Sequence, residues 1–140
     1  MEEQFVTYDI AFKLKQLGFN EQCLAKYCRY NPCDPITLFP HSQDFFDGYF
    51  SGCDNESCNN DEGIKITAPL WQQAIAWLRE KHDIHIEILY DSDWETYGCI
   101  VGKLSDISLL RSDNQIENDF DDFDDARTSA IEQAIEILKK

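Results

Sequence analysis

Ile84-His85-Ile86-Glu87-Ile88-Leu89-Tyr90 runs into the polar turn Asp91–Glu95 and returns as Thr96-Tyr97-Gly98-Cys99-Ile100-Val101-Gly102-Lys103-Leu104. Ile84, Ile86 and Ile88 alternate with His85, Glu87 and Leu89, the period of a half-buried strand. A connection this short joins two strands only when they run antiparallel. The stretch therefore predicts a β-hairpin, and Gly98 and Gly102 mark a bulge or a close backbone approach in its second strand.

Upstream of the hairpin the period changes to that of a helix. Thr67 stands where an N-cap belongs, and Ala68-Pro69 places proline in the first turn. Trp71, Ala74, Ile75 and Leu78 then share one face, and Arg79, Lys81 and His82 fall at the end where cations suit the dipole. A second helix is predicted near the start of the chain. Thr7 caps it, Ile10, Ala11, Leu14 and Leu17 form its apolar side, and Gly18 followed by Phe19 ends it. A third closes the chain: Asp124 or Asp125 caps it, and Ala126, Ala130, Ile131, Ala134, Ile135 and Leu138 make a stripe.

Between the first two helices, residues 22–30 and 36–39 read as short strands separated by Asn31-Pro32 and Asp34-Pro35. Phe45 to Phe50 places aromatics around Asp47-Gly48, a turn signal. Residues 51–63 are almost wholly polar and read as an exposed loop rich in Cys, Asn and Asp. Residues 105–118 show no clear period. The expected fold is α+β: one domain over 1–140, with a small, mostly antiparallel sheet packed by about three helices in the order α-β-β-α-β-β-α.

The 140 residues carry 27 Asp and Glu against 12 Lys and Arg, a net charge of −15, with 43% hydrophobic residues. That hydrophobic content is ordinary for a folded domain. The charge argues against a broad grip on nucleic acid, which needs clustered cations, and against docking on anionic lipid. Residues 91–125 alone hold eleven acidic and two basic side chains, more than half of the excess. The opening Met1-Glu2-Glu3-Gln4 is acidic where a signal peptide is basic, and no apolar run approaches the roughly 18 residues of a membrane span. The expected location is the cytoplasm.

Thr7-Tyr8-Asp9-Ile10-Ala11 through Leu17-Gly18-Phe19-Asn20-Glu21, the helix Ala68-Pro69-Leu70-Trp71 to His82, and the acidic, aromatic lead-in to the alanine-rich helix Phe120–Leu138 together carry a resemblance. The chain resembles small proteins encoded by phages and prophages of gut bacteria, over about half its length. The resemblance implies a small helix–sheet domain and brings no activity and no catalytic residue with it. The cysteine-rich stretch from Cys28 to Cys58 departs from that pattern.

Three constellations invite a chemical reading. Cys28 and Cys33 are five apart, as are Cys53 and Cys58, and two such pairs can surround a zinc ion. Cys23 continues the spacing, so a zinc-stabilised binding module built on residues 23–58 is one alternative. Against it, zinc ligands within a pair more often stand two residues apart, and thiols buried as small hydrophobes are the plainer account. A Cys53–Cys58 disulfide is a further option. A nucleophilic pairing of a cysteine with His41, His82 or His85 lacks any supporting turn motif. No phosphate-cradling glycine loop, nucleophile elbow or His-Glu-x-x-His occurs.

The acidic tract Glu117 to Asp125 is the third. It lacks the ligand-and-glycine order of a calcium loop, and negative charge ahead of a helix is favourable in itself. Asp119, Asp121, Asp122, Asp124 and Asp125 are the candidate partner surface, because a concentrated acidic field draws in a basic protein. The expected function is therefore a non-enzymatic protein-interaction domain, a phage or mobile-element accessory protein. It would need no cofactor and would bind neither nucleic acid nor membrane. Imitation of DNA by an inhibitor of a basic host protein is the sharper alternative. A pocket lined by Trp71, Trp77, Tyr90, Trp94 and Tyr97 is a competing, small-molecule reading.

Overall fold

A computed structural model of the chain describes residues 4–29, 33, 35–40, 64–106 and 117–139. The fold is α+β: among the described residues there are three α-helices and two antiparallel sheets. The residues group into two compact units, 1–74 and 75–140.

The first unit begins with helix α1, Tyr8–Gln16. Thr7 has extended backbone and its hydroxyl accepts the Ile10 N–H at 3.4 Å, satisfying one of the amides that a helix start leaves without a partner. The other end closes as a Schellman motif. Phe19 N–H donates to the Leu14 carbonyl and Gly18 N–H to that of Lys15, both at 3.0 Å. The reversal puts Gly18 at φ +97°, a conformation in which a Cβ is strained. It also turns Phe19 inward, where it is buried together with Ile10, Ala11 and Leu14.

Strands β1 (Ala25–Arg29), β2 (Thr37–Pro40) and β3 (Ile64–Ala68) form the sheet of this unit in the order β2-β1-β3. Tyr27 lies opposite Leu38 on one side and Ile66 on the other. Phe5, Ala25 and Ala68 form a buried cluster against which Leu24, Tyr27, Leu38 and Leu70 pack. The Tyr27 ring meets Tyr8 of α1 edge-on at 5.7 Å, and its hydroxyl donates to the Val6 carbonyl at 2.6 Å. That bond gives the polar end of the half-buried phenol a partner.

β3 corrects the sequence reading of Thr67. Thr67 is not a helix cap but a strand residue, 1% exposed, directly opposite Lys26. Ile64, Ile66 and Ala68 have the period of a strand, and tertiary burial outweighs the capping preference of a threonine before Ala-Pro. Helix α2, Trp71–His82, starts two residues after Pro69, and its first backbone bond runs from Ala74 N–H to the Leu70 carbonyl. The boundary between the units falls inside α2, after Ala74.

In the second unit α2 ends at Asp83, which adopts φ 55° and still donates its N–H to the Arg79 carbonyl. Aspartate tolerates this left-handed conformation better than most residues. β4 (Ile84–Asp91) follows at once, pairs with β5 (Thr96–Lys103), and β5 pairs with β6 (Glu117–Phe120), giving the order β4-β5-β6. The hairpin is in the expected register, with Ile88 opposite Cys99 and Tyr90 opposite Tyr97. An irregularity lies between Tyr97 and Cys99, beside Gly98, where the pairs Tyr97–Phe120 and Cys99–Glu117 leave an extra residue on β6.

Helix α3, Phe123–Lys139, packs on this sheet. Ala126, Ala130, Ile131, Ala134 and Ile135 are all fully buried, as the stripe predicts. The small alanines let the helix approach the strands while the isoleucines fill the space between. Gln133 donates to the Cys99 sulfur at 3.6 Å, which marks the β5 face carrying Tyr97, Cys99 and Val101 as the α3 side.

The strands thus divide between two sheets where a single sheet was expected, because β3 and β6 are strands that the sequence reading had absorbed into a helix start and a charged lead-in. Among the described residues the α-helices and strands follow the order α-β-β-β-α-β-β-β-α.

Candidate functional site

Among the described residues, the two most exposed aromatic side chains, Trp94 and Tyr90, stand at the hairpin tip. β4 and β5 end in the Tyr90–Tyr97 pair, whose rings lie 5.0 Å apart at 52°. The chain then turns through residues 92–95. Asp91 stabilises the turn by accepting the Asp93 N–H on its carboxylate at 2.9 Å, and Glu95 closes it at φ 52°. Trp94, in the middle of this turn, is 79% exposed, and Tyr90 is 56% exposed. Burying a ring of this size contributes about 1.5–3 kcal/mol, so folding leaves that stabilisation unused at both positions.

From the hairpin the aromatic surface continues onto α3. Tyr97 lies opposite Phe120 of β6 and meets the Phe123 ring edge-on at 6.0 Å. Phe123, the first residue of α3, is 44% exposed. The Arg127 guanidinium stands 5.3 Å from the Phe123 ring centre, and one of its nitrogens pairs with an Asp124 carboxylate oxygen at 2.8 Å. A chain of contacts thus joins Tyr90, Tyr97, Phe123 and Arg127.

Carboxylates border this row on both sides. Asp93 and Glu95 are exposed in the turn, and Asp121, Asp122, Asp124 and Asp125 are exposed where β6 passes into α3. Asp122 has a structural task as well. Its carboxylate accepts the Asp125 N–H at 2.8 Å and its carbonyl accepts the Ala126 N–H, so Asp122 is the N-cap of α3. This moves the cap from Asp124 or Asp125, where the sequence reading put it, to the residue ahead of Phe123. Asp124 bonds Arg127 through its side chain and Thr128 through its carbonyl. Of the five candidate aspartates, four are thus exposed beside the aromatic row, and Asp119 lies in the backbone of β6.

The zinc candidates fall differently. Cys28 is in β1, opposite Thr37 and Lys65, and is 2% exposed, while Cys33 is exposed beyond the strand. Cys53 and Cys58 lie outside the described residues. Among the described residues no group of three or more His, Cys, Asp or Glu is arranged to hold a metal ion. Cys23 donates to the Glu21 carbonyl at 3.4 Å and Cys99 sits under α3, both buried as small hydrophobic side chains.

His41 lies outside the described residues; His82 packs edge-on against Trp77, and His85 Nε2 is 3.5 Å from a Glu87 carboxylate oxygen. The five residues proposed to line a pocket differ in burial: Trp71 and Trp77 are 5% exposed, Tyr97 is half-buried, and Tyr90 and Trp94 are surface residues. The structure places these last two on the surface of the hairpin, in contrast to the buried Trp71 and Trp77. The signal was present, since Tyr90 and Tyr97 end the hairpin and Trp94 stands in its turn. Phe123 and Arg127 carried no sequence signal beyond their helical spacing of four.

No described helix is long and apolar enough to cross a membrane. No protein-family pattern, curated protein or solved structure matches the chain.

Proposed function

We propose that the chain is a non-enzymatic interaction domain that binds a basic protein through the hairpin tip and the start of α3 in residues 75–140. The observation that carries this reading is the coincidence of exposed rings and carboxylates at one end of one sheet. Trp94 and Phe123 are exposed within residues 91–125, the segment that holds more than half of the chain's net charge, and exposed Tyr90 immediately precedes it. Exposed aromatic clusters rimmed by polar groups are the usual composition of a protein-binding patch. The carboxylates set the sign of the partner and speed encounter with it.

The setting consistent with the resemblance is a cytoplasmic accessory protein of a mobile element acting on a protein of its host. Metal and cofactor play no part in this reading.

Titration of isotopically labelled protein with polylysine, followed by backbone amide shifts, tests the site. The expected perturbations fall on residues 90–97 and 120–125. They shrink steeply between low salt and 1 M salt, where the screening length drops to about 3 Å. Perturbation centred on residues 4–29, or binding indifferent to salt, overturns the proposal.

A further inference from the structure

The surface at the hairpin tip has an internal counterpart in its own neighbourhood. Arg127 stands over the Phe123 ring at 5.3 Å and pairs with Asp124 at 2.8 Å. One guanidinium is there held by an aromatic face and a carboxylate together. Tyr90 and Trp94 are more exposed than Phe123, and Asp93 and Glu95, both exposed, flank Trp94 in the chain. The second half of the row thus offers the same two kinds of group, and residues 90–97 contain no Lys or Arg.

We infer that the basic partner presents arginine to this surface, its guanidinium stacking on Trp94 and Tyr90 while Asp93 and Glu95 neutralise its charge. The inference rests on the proposed binding of a basic protein and adds which side chain is read. Arginine suits the site better than lysine because its planar, weakly hydrated group stacks on a ring and still presents hydrogen-bond donors in its own plane. Trp is the strongest ring for such contacts, and it is the most exposed of the large hydrophobic side chains described.

Charge complementarity also selects among occupants. A second copy of the chain would bring another 15 negative charges to a face that is already acidic, so self-association is opposed at low salt. Nucleic acid is opposed for the same reason. A surface that only imitated phosphates would need the carboxylates and would have no use for two solvent-facing rings.

Three peptides of equal length test the inference on the full-length protein: alternating arginine–glycine, alternating lysine–glycine, and a citrulline–glycine version that keeps the shape of arginine without its charge. Calorimetric titration at low salt should rank arginine above lysine and give no measurable binding of citrulline. Trp94→Ala and Tyr90→Ala should each weaken the arginine peptide about two- to fivefold, the exposed cation–π range, and leave the lysine peptide less affected. Both side chains lie at the surface, and circular dichroism of each variant checks that its fold is retained.

Equal binding of the arginine and lysine peptides, unchanged by Trp94→Ala, overturns the arginine inference while the basic-partner reading stands. Binding of neither peptide overturns both. A concentration-dependent dimer that Trp94→Ala abolishes overturns the inference in favour of a second copy as occupant.

Discussion

Asp122 separates the two tasks of the acidic tract, and its substitution can be worked through in numbers. The Asp122 carboxylate accepts the Asp125 N–H at 2.8 Å, and its charge adds to the field of Asp121, Asp124 and Asp125. Asparagine retains an oxygen at the same place and ranks with aspartate as an N-cap, whereas alanine offers nothing to the first-turn amides. Asp122→Ala should therefore cost about 1 kcal/mol of stability, within a range of roughly 0.5–2. For a domain of this size that is a fall of about 3–6 °C in melting temperature. Asp122→Asn loses the attraction of a carboxylate for the helix dipole, about 0.3–1 kcal/mol, and is relieved of repulsion from its acidic neighbours. Its net change should lie within about 0.5 kcal/mol of zero. Urea unfolding followed by circular dichroism at 222 nm gives both values, with moderate salt present to screen the surface charges. Polylysine binding should then sort the variants the other way, Asn and Ala weakening it alike because each removes one charge. Equal stability of the two variants would refute the capping geometry. Retained polylysine affinity in both would remove Asp122 from the binding surface.

Other substitutions test the fold that holds this surface. Gly18→Ala should destabilise by about 1–2 kcal/mol in urea unfolding, because φ +97° is strained for any residue with a Cβ while a Cβ there meets nothing within 4 Å; Gly18→Asn should recover part of the loss. Ile135→Ala, at a fully buried position of α3, should cost about 2–5 kcal/mol and lower the denaturant midpoint accordingly. Tyr27→Phe removes the 2.6 Å bond to the Val6 carbonyl and should cost about 0.5–1.5 kcal/mol by the same measurement.

Where a single local signal sufficed, the fold could be read before any coordinates. α1 is bounded by Thr7 and Gly18, each of which acts through hydrogen bonds within its own few residues, and both act as read. The β4–β5 hairpin and the α3 stripe rest on periodicity sustained over eight or more residues, which survives most tertiary effects. Thr67 shows where that logic stops. Threonine before Ala-Pro is a sound cap and an equally sound strand residue, and what decides between them is β1, forty residues away in sequence, lying antiparallel beside Ile64–Ala68. β6 is harder still. Glu117-Asn-Asp-Phe120 has poor strand propensity and pairs because β5 presents an edge to it, with a register irregularity beside Gly98 absorbing the misfit.

The proposed binding surface was legible as charge and illegible as shape. A count of aspartates locates residues 91–125, yet half of the reason those aspartates stand there is mechanical: Asp91 ties the hairpin turn, Asp122 starts α3 and Asp124 anchors Arg127. Charge density by itself therefore overstates how much of the tract is available to a partner. The aromatic residues supply the missing discrimination, because no such mechanical task is evident for a tryptophan 79% exposed in a four-residue turn. In a hairpin whose strands are otherwise fully paired, replacing Trp94 should cost the fold little. What its substitution costs in binding is therefore a cleaner measure of partner contact than any change among the carboxylates that surround it.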